Sequence, residues 1–340
     1  MLDLLKTLCS LPGPSGNEGP VRDYILETVR PYADAIVDPI GNVIVEKKGR
    51  KHSGKTILLA AHMDEVGFII TGITDEGYLK FAPLGSIDQR VVLGKGVRIG
   101  PAGIPGVIGL KPVHLSTQDE RSKMPEIESL HLDIGASDAE TAKKLVSLGD
   151  TACFDTQPFH MGECLVSKAI DDRVGCAVLL TLLSEDLPVD VHFAFTVQEE
   201  IGLRGATTAG FRIQPDIALI LEGTTAADIP GAAPGKEICR MGGGVVIPFM
   251  DKGTVYDRTL YRRITALAER LDIPWQTKQV IAGGTDGAAI QRAGTGAQVA
   301  GLAAPVRNLH TGVNVASLQD MDHLLNLTRA VLADFGETPL

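Results

Sequence analysis

Thr56-Ile57-Leu58-Leu59-Ala60-Ala61 is a continuous apolar run of strand length, opened by one β-branched polar residue. A strand with one face in water alternates apolar and polar side chains, whereas a strand buried on both faces does not. The run therefore predicts a strand inside a parallel sheet. Val191-His192-Phe193-Ala194-Phe195-Thr196-Val197 and Ile217-Ala218-Leu219-Ile220-Leu221 read the same way, and Asn42-Val43-Ile44-Val45-Glu46 reads as a further strand. Helical patterns alternate with these runs. Val21, Tyr24, Ile25 and Val29 fall at helical spacing within 16–32, and Val174, Val178, Leu179 and Leu182 do so behind Asp172. Two more helices are predicted over about 257–271 and 318–335. Buried strands alternating with amphipathic helices predict an α/β sheet covered on both faces.

The middle of the chain reads differently. From about 71 to 161 it consists of short β-like pieces rich in Gly and Pro, such as Gly94-Lys95-Gly96-Val97-Arg98-Ile99-Gly100-Pro101 and Ile104-Pro105-Gly106-Val107-Ile108-Gly109. Ser137-Asp138-Ala139-Glu140 reads as a capping-box start for one helix running to Leu148. The expectation is a mostly-β domain, 71–162, inserted into a discontinuous α/β domain formed by 1–70 and 163–340. Its Gly/Pro-rich composition predicts a poor core of its own.

Bulk properties exclude several classes. With 32 Lys+Arg against 42 Asp+Glu the net charge is −10, so binding nucleic acid through bulk positive charge is excluded. Apolar runs are short, as in Ala177-Val178-Leu179-Leu180, where a membrane span needs about 20 residues. The opening Met-Leu-Asp-Leu-Leu-Lys lacks the features of a signal peptide. Five cysteines, Cys9, Cys153, Cys164, Cys176 and Cys239, form no CxxC pair, which points to buried thiols in a reducing cytoplasm. Cys176 sits in an apolar run and reads as core rather than nucleophile. Gly49-Arg50-Lys51-His52-Ser53-Gly54-Lys55-Thr56 matches the phosphate-loop pattern, but that loop must lead into a helix, and Thr56 opens a strand. A basic turn is expected there.

His and carboxylates gather at the ends of the predicted strands. His62-Met63-Asp64 closes the first, and residues i and i+2 of a strand share a face. A His held by a carboxylate suits a metal site or a structural pair. Asp171-Asp172 lies at a strand-to-helix turn, where Asp also serves as an N-cap. Glu199-Glu200 and Glu222 follow apolar strands, and His310 stands in Asn308-Leu309-His310-Thr311-Gly312. Ligands of open α/β sheets collect at the carboxyl ends of strands. Two His and three carboxylates, His62, Asp171, Glu200, Glu222 and His310, suit a two-metal site. That donor set favours Zn²⁺, with Co²⁺ or Mn²⁺ as alternatives. Glu199, beside Glu200, is the candidate general base.

At these residues the chain resembles the M42 family of metallo-aminopeptidases. The motifs are Ala61-His62-Met63-Asp64-Glu65-Val66-Gly67, Ala169-Ile170-Asp171-Asp172-Arg173, Gln198-Glu199-Glu200-Ile201-Gly202, Glu222-Gly223-Thr224-Thr225-Ala226-Ala227-Asp228 with Pro230-Gly231, Gly283-Gly284-Thr285-Asp286 and Arg307-Asn308-Leu309-His310-Thr311. They span most of the chain. The resemblance implies a mixed sheet covered by helices on both faces, the co-catalytic zinc peptidase fold, with the inserted domain used for subunit pairing and access. It implies that His62 and Glu222 hold one metal, Glu200 and His310 the other, and Asp171 bridges. Asp64 would orient His62, and Glu199 would act as base and then acid. Spacing alone does not separate Asp171 from Asp172; the resemblance selects Asp171. Many members carry Asp where this chain has Glu222. The implied activity is release of N-terminal residues from short peptides by a homo-oligomer, a tetrahedral dodecamer. A di-metal deacylase or carboxypeptidase is the closest alternative. An endoglucanase reading is weaker, because Glu199 and Glu200 are adjacent and aromatic residues make up only 4% of the chain.

Overall fold

The computed structural model of the chain describes residues 1–233 and 235–338. Nine strands follow one another across its large sheet, in the spatial order Ala35–Val37, Val43–Lys47, Val191–Thr196, Ile57–His62, Ile217–Thr225, Gln298–Arg307, Asn314–Ser317, Cys164–Ser167 and Phe159–Met161. Two short strands, Val245–Val246 and Trp275–Gln276, pair alongside Gln298–Arg307. Ile57–His62 pairs in parallel with Val191–Thr196 and Ile217–Thr225, and Ile217–Thr225 in parallel with Gln298–Arg307. The outer strands are antiparallel. The sheet is therefore mixed, with the parallel strands at its centre.

Every residue of Ile57–His62 is buried, as its unbroken apolar run requires. Successive side chains of a strand leave opposite faces. Ile57, Leu59 and Ala61 accordingly join one apolar cluster, and Leu58 and Ala60 another. Phe193 and Phe195 part from Ala194 in the same way, as do Ile217, Leu219 and Leu221 from Ala218 and Ile220. The first face meets the helices Leu2–Ser10, Gly19–Val29, Ile170–Leu183, Arg258–Arg270 and Leu318–Glu337. The second face is packed with small residues, Ala60, Ala194 and Ala218, against Ala206, Ala209 and Ile290 of Arg204–Ile213 and Gly287–Ile290. Caps fix the helix starts. Asp257 accepts from the N–H groups of Thr259 and Leu260, and Ser317 accepts from that of Asp320. Among the described residues no helix is long and apolar enough to cross a membrane.

The expected α/β sheet with helices on both faces is what the chain forms. Residues 49–56 connect two strands, and Gly49 donates its N–H to Asp190, so the phosphate-loop pattern is a turn. A separate antiparallel barrel closes in the order Gly67–Ile73, Leu79–Leu84, His131–Asp133, Ile104–Gly109, Gly96–Ile99, Thr151–Phe154. Phe159–Met161 pairs instead with the large sheet.

Two expectations need correction. The barrel does not lack a core: Phe68 meets Phe81 and Phe154 edge-on, with ring centroids 5.2 and 5.4 Å apart, among Ile70, Leu79, Val97, Ile99, Ile108 and Leu132. The composition misled because many of the glycines sit in turns while alternate strand residues point inward. The expected helix to Leu148 is one turn, Ala139–Lys143, capped by Asp138, which accepts from the Thr141 N–H at 2.8 Å. The chain must turn there, because Gly149 and Asp150 bond the backbone of Ile70 and lead Thr151–Phe154 into the barrel.

Candidate metal centre

Parallel pairing brings the carboxyl ends of the central strands to one edge of the sheet. His62 ends its strand opposite Thr196, and Glu199 and Glu200 lie just beyond that partner. Glu222 sits within Ile217–Thr225, Asp171 follows Cys164–Ser167, and His310 follows Gln298–Arg307. Residues far apart in sequence thus converge. His62, Asp171, Glu199, Glu200, Glu222 and His310 all line one cavity of about 490 Å³.

The two imidazoles face the carboxylates. His62 Nε2 lies 3.6 Å from Asp171 Oδ1, 3.6 Å from Glu222 Oε2 and 4.0 Å from Glu199 Oε2. His310 Nε2 lies 3.2 Å from Glu200 Oε2 and 3.8 Å from Asp171 Oδ2. Asp171 therefore offers one oxygen toward each imidazole. The other ring nitrogens meet carbonyls: His62 Nδ1 is 3.1 Å from the Asp64 carbonyl, and His310 Nδ1 is 2.9 Å from that of Ser86 in the barrel. A carbonyl only accepts, so each Nδ1 donates and each Nε2 is turned to the carboxylates.

The adjacent aspartates do different things. Asp172 is fully buried and accepts from the N–H groups of His62, at 3.1 Å, and Gly175, at 3.0 Å. It ties the turn and caps the helix. Asp171 accepts from the Gly223 N–H at 3.1 Å, leaving its oxygens toward the cavity. A Cβ on Gly223 would stand 2.9 Å from the Asp171 Cβ, so only glycine permits this approach.

Burial of so much like charge has a predictable effect. Desolvation, reinforced by neighbouring carboxylates, pushes Glu222 and Glu199 well above the usual carboxyl range and raises Glu200. Burial works against a charged imidazole, but Asp171 and Asp64 outweigh it at His62, whose pKa stands well above the ordinary value. At His310 burial is likewise outweighed, chiefly by Glu200, and the pKa rises to about 9. The cluster calls for added positive charge. Glu222 Oε1 is buried without a hydrogen-bond partner. Ligand-type atoms of His62, Asp171 and Glu200, and of His62, Asp172 and Glu222, fall within 4.8 Å of one another. Imidazole and carboxylate donors at this spacing fit divalent cations.

The likeness to known proteins runs the length of the chain. Residues 41–327 match the family described as M42 glutamyl aminopeptidase. The chain belongs to the M42 aminopeptidase family. This M42 chain is 36% identical to an aminopeptidase from the archaeon Desulfurococcus kamchatkensis, with a TM-score of 0.92 over 99% of this chain and 96% of that one. The TET1 peptidase of Pyrococcus horikoshii, which can assemble into a tetrahedron or a large octahedral shell, matches at 35% identity and a TM-score of 0.86 over 97% and 98%. The lysyl aminopeptidase of Pyrococcus furiosus is 30% identical over 98% of this chain and 96% of its own. The M42 chain is a peptide hydrolase of the aminopeptidase type.

The structure gives Asp64 more contacts in this M42 site than the sequence reading expected, and it adds Ser15 and Ser86, which that reading missed. Asp64, fully buried, accepts from the Ser15 hydroxyl at 2.6 Å and from the N–H groups of Glu199 at 3.0 Å and Glu200 at 3.1 Å. It lies 3.3 Å from His62 Nδ1 as well, so it steadies three site residues rather than one. Ser15 stands in a Pro14-Ser15-Gly16 turn, a faint signal at most. Ser86 acts through its carbonyl, which no side-chain pattern encodes. Asp286, from the Gly283-Gly284-Thr285-Asp286 motif, is buried and accepts from the Thr196 hydroxyl; burial pushes its carboxyl to about 6. Cys176 is buried, donates to the His62 carbonyl and has a pKa raised well above normal by burial, consistent with a core thiol.

Proposed function

We propose that this enzyme releases N-terminal residues from short peptides at a centre for two divalent ions. The observation that carries the reading is the placement of Asp171, one oxygen toward His62 and the other toward His310. His62 and Glu222 would hold one ion, His310 and Glu200 the other, with Asp171 between them. The donor set favours Zn²⁺, with Co²⁺ or Mn²⁺ as alternatives. Two such ions supply Lewis acidity, making water a stronger acid and polarising the scissile carbonyl.

The chain's own groups do the rest. Glu199 lines the cavity, is not required as a ligand, and sits beside Glu200 on a backbone held by Asp64. It takes the proton of the water that adds to the peptide carbonyl and passes it to the leaving nitrogen. Asp64 keeps the His62 ring turned to the cavity. Closely spaced carboxylates around the cavity attract a free α-amine, which favours an aminopeptidase over a carboxypeptidase or deacylase.

The likeness to TET1 supports a homo-oligomer, a tetrahedral dodecamer, in which the inserted domain 71–162 pairs subunits and limits access to the catalytic domain 1–70 plus 163–340. The five unpaired cysteines accord with a cytoplasmic enzyme. The test is a panel of aminoacyl chromogenic substrates run on chelated protein and after return of each metal. Cleavage should vanish on chelation and return with about two ions per subunit. Cleavage of blocked or C-terminal residues alone would overturn the reading.

A further inference from the structure

Resting on the two-ion reading, the structure gives a part in the centre to a side chain that does not line the main cavity. Asn314 opens Asn314–Ser317, opposite Ser167 of the strand that leads to Asp171. It is only 2% exposed, so it acts through neighbours rather than on a substrate. Its Oδ1 accepts from the Ile170 N–H at 3.2 Å, one residue before Asp171. Its Nδ2 donates to the carbonyls of Asn308, at 2.8 Å, and Thr311, at 3.2 Å, which stand on either side of His310. One carboxamide thus joins the turn that carries Asp171 to the loop that carries His310.

Both segments need holding. Ala169, Asn308 and His310 have φ of +56°, +56° and +57°, a left-handed region that residues other than glycine enter at a cost. The loop 308–313 lies between two strands and makes no ladder bonds of its own. Besides Asn314 it is tied by the Thr311 hydroxyl, which donates to the same Asn308 carbonyl at 2.7 Å and accepts from the Val313 N–H at 3.1 Å. A carboxamide accepts at one end and donates twice at the other, which a carboxylate of the same shape does not do. We propose that Asn314 is a positioning residue that sets the span between His310 and Asp171, and with it the affinity for the ion on the His310 side. That span is 3.8 Å from Nε2 to Oδ2. His62 is held independently, its Nδ1 by the Asp64 carbonyl and its N–H by Asp172, so the ion on the His62 side is spared.

The experiment titrates Mn²⁺, one of the ions the donor set admits, into the chelated full-length protein and counts free ion by electron paramagnetic resonance. Circular dichroism checks folding. The wild type should bind two ions per subunit. Asn314→Ala and the isosteric Asn314→Asp should each weaken one ion by about ten- to a hundredfold and leave the other unchanged, as loss of a group behind a metal ligand does. A role in packing alone would leave Asn314→Asp like the wild type, or weaken both ions alike; either result overturns the proposal while the two-ion reading stands. Should neither variant fold, Thr311→Val frees the same Asn308 carbonyl with Asn314 in place. It should weaken the same ion several-fold, and two unchanged ions there would overturn the proposal. A wild type that binds a single ion removes the two-ion reading and this proposal with it.

Discussion

His310 donates from Nδ1 to the carbonyl oxygen of Ser86, 2.9 Å away. The imidazole follows the large sheet and the carbonyl belongs to the barrel, so one unit of the fold orients a site residue of the other. Gly85, next to Ser86, has φ +85°, and a Cβ there would stand 2.8 Å from Val66 Cγ1 and 3.2 Å from the Glu200 Cβ. Gly85→Ala should therefore displace this loop. We expect it to weaken metal retention or kcat/KM by about ten- to a hundredfold, as changes to groups behind metal ligands do. Equilibrium dialysis and kinetics check this; a variant matching the wild type in both would show that the barrel does not set the His310 ring.

Glu199→Gln removes the group proposed to move the proton and keeps its shape. Turnover should fall by about a hundredfold or more. Metal content should stay near two ions per subunit, measured by atomic emission. Undiminished turnover would transfer the proton role to another residue.

Asp64→Ala strands the Ser15 hydroxyl and the Glu199 and Glu200 N–H groups in the interior. Each buried donor left unmade costs about 1–3 kcal/mol, so the chelated protein should lose several kcal/mol in urea unfolding. Ser15→Ala removes one contact and should cost about 1 kcal/mol. Equal losses in the two variants would contradict the hub role given to Asp64.

Asp228 and Arg307 form a two-point ion pair, with Nε–Oδ1 2.8 Å and Nη2–Oδ2 2.6 Å. Burial raises the carboxyl, but Arg307 and the Met241 N–H together outweigh it and hold Asp228 below its usual pKa. A carboxylate lowered on folding stabilises above its unfolded pKa of about 3.9, and that stability fades as pH falls through the folded value. The stability gap between wild type and Asp228→Asn should be full near neutral pH and shrink on acidification below about pH 4. Urea unfolding at a series of pH values measures it, and a gap that widens in acid would reverse the sign.

Burial pushes the thiols of Cys9, Cys153 and Cys239 up to about 12 and that of Cys176 well above normal. Thiolate is the reactive form. Iodoacetamide at neutral pH should leave these four unmodified in the native protein, with activity retained, and mark Cys164 first, since it is the least buried. Peptide mass spectrometry reads the order.

Elements built from large apolar residues were legible in the sequence. Ile57–His62 and Val191–Thr196 declare themselves by unbroken apolar runs, and Arg258–Arg270 by Leu260, Ile264 and Leu267 on one face. Arg204–Ile213 escaped notice because its buried face is Gly205, Ala206, Ala209 and Gly210. Gln298–Arg307 escaped because Gly301 and Pro305 argue against an interior strand. For the site, strand ends marked His62, Glu199, Glu200 and Glu222, and the structure gathers them in one cavity with Asp171 and His310. What the residue types could not reveal were contacts made through backbone: the Ser86 carbonyl on His310, and the Glu199 and Glu200 amides on Asp64.

The residues of the centre are drawn from strand ends scattered between His62 and His310. During synthesis the early strands can pair while the nascent chain still lacks His310, which emerges only after Gln298–Arg307 has been made. In the folded chain Gln298–Arg307 lies in parallel against Ile217–Thr225, and this pairing sets the two imidazoles on either side of Asp171. A chain cut short before residue 310 therefore lacks one of the two imidazoles turned toward Asp171.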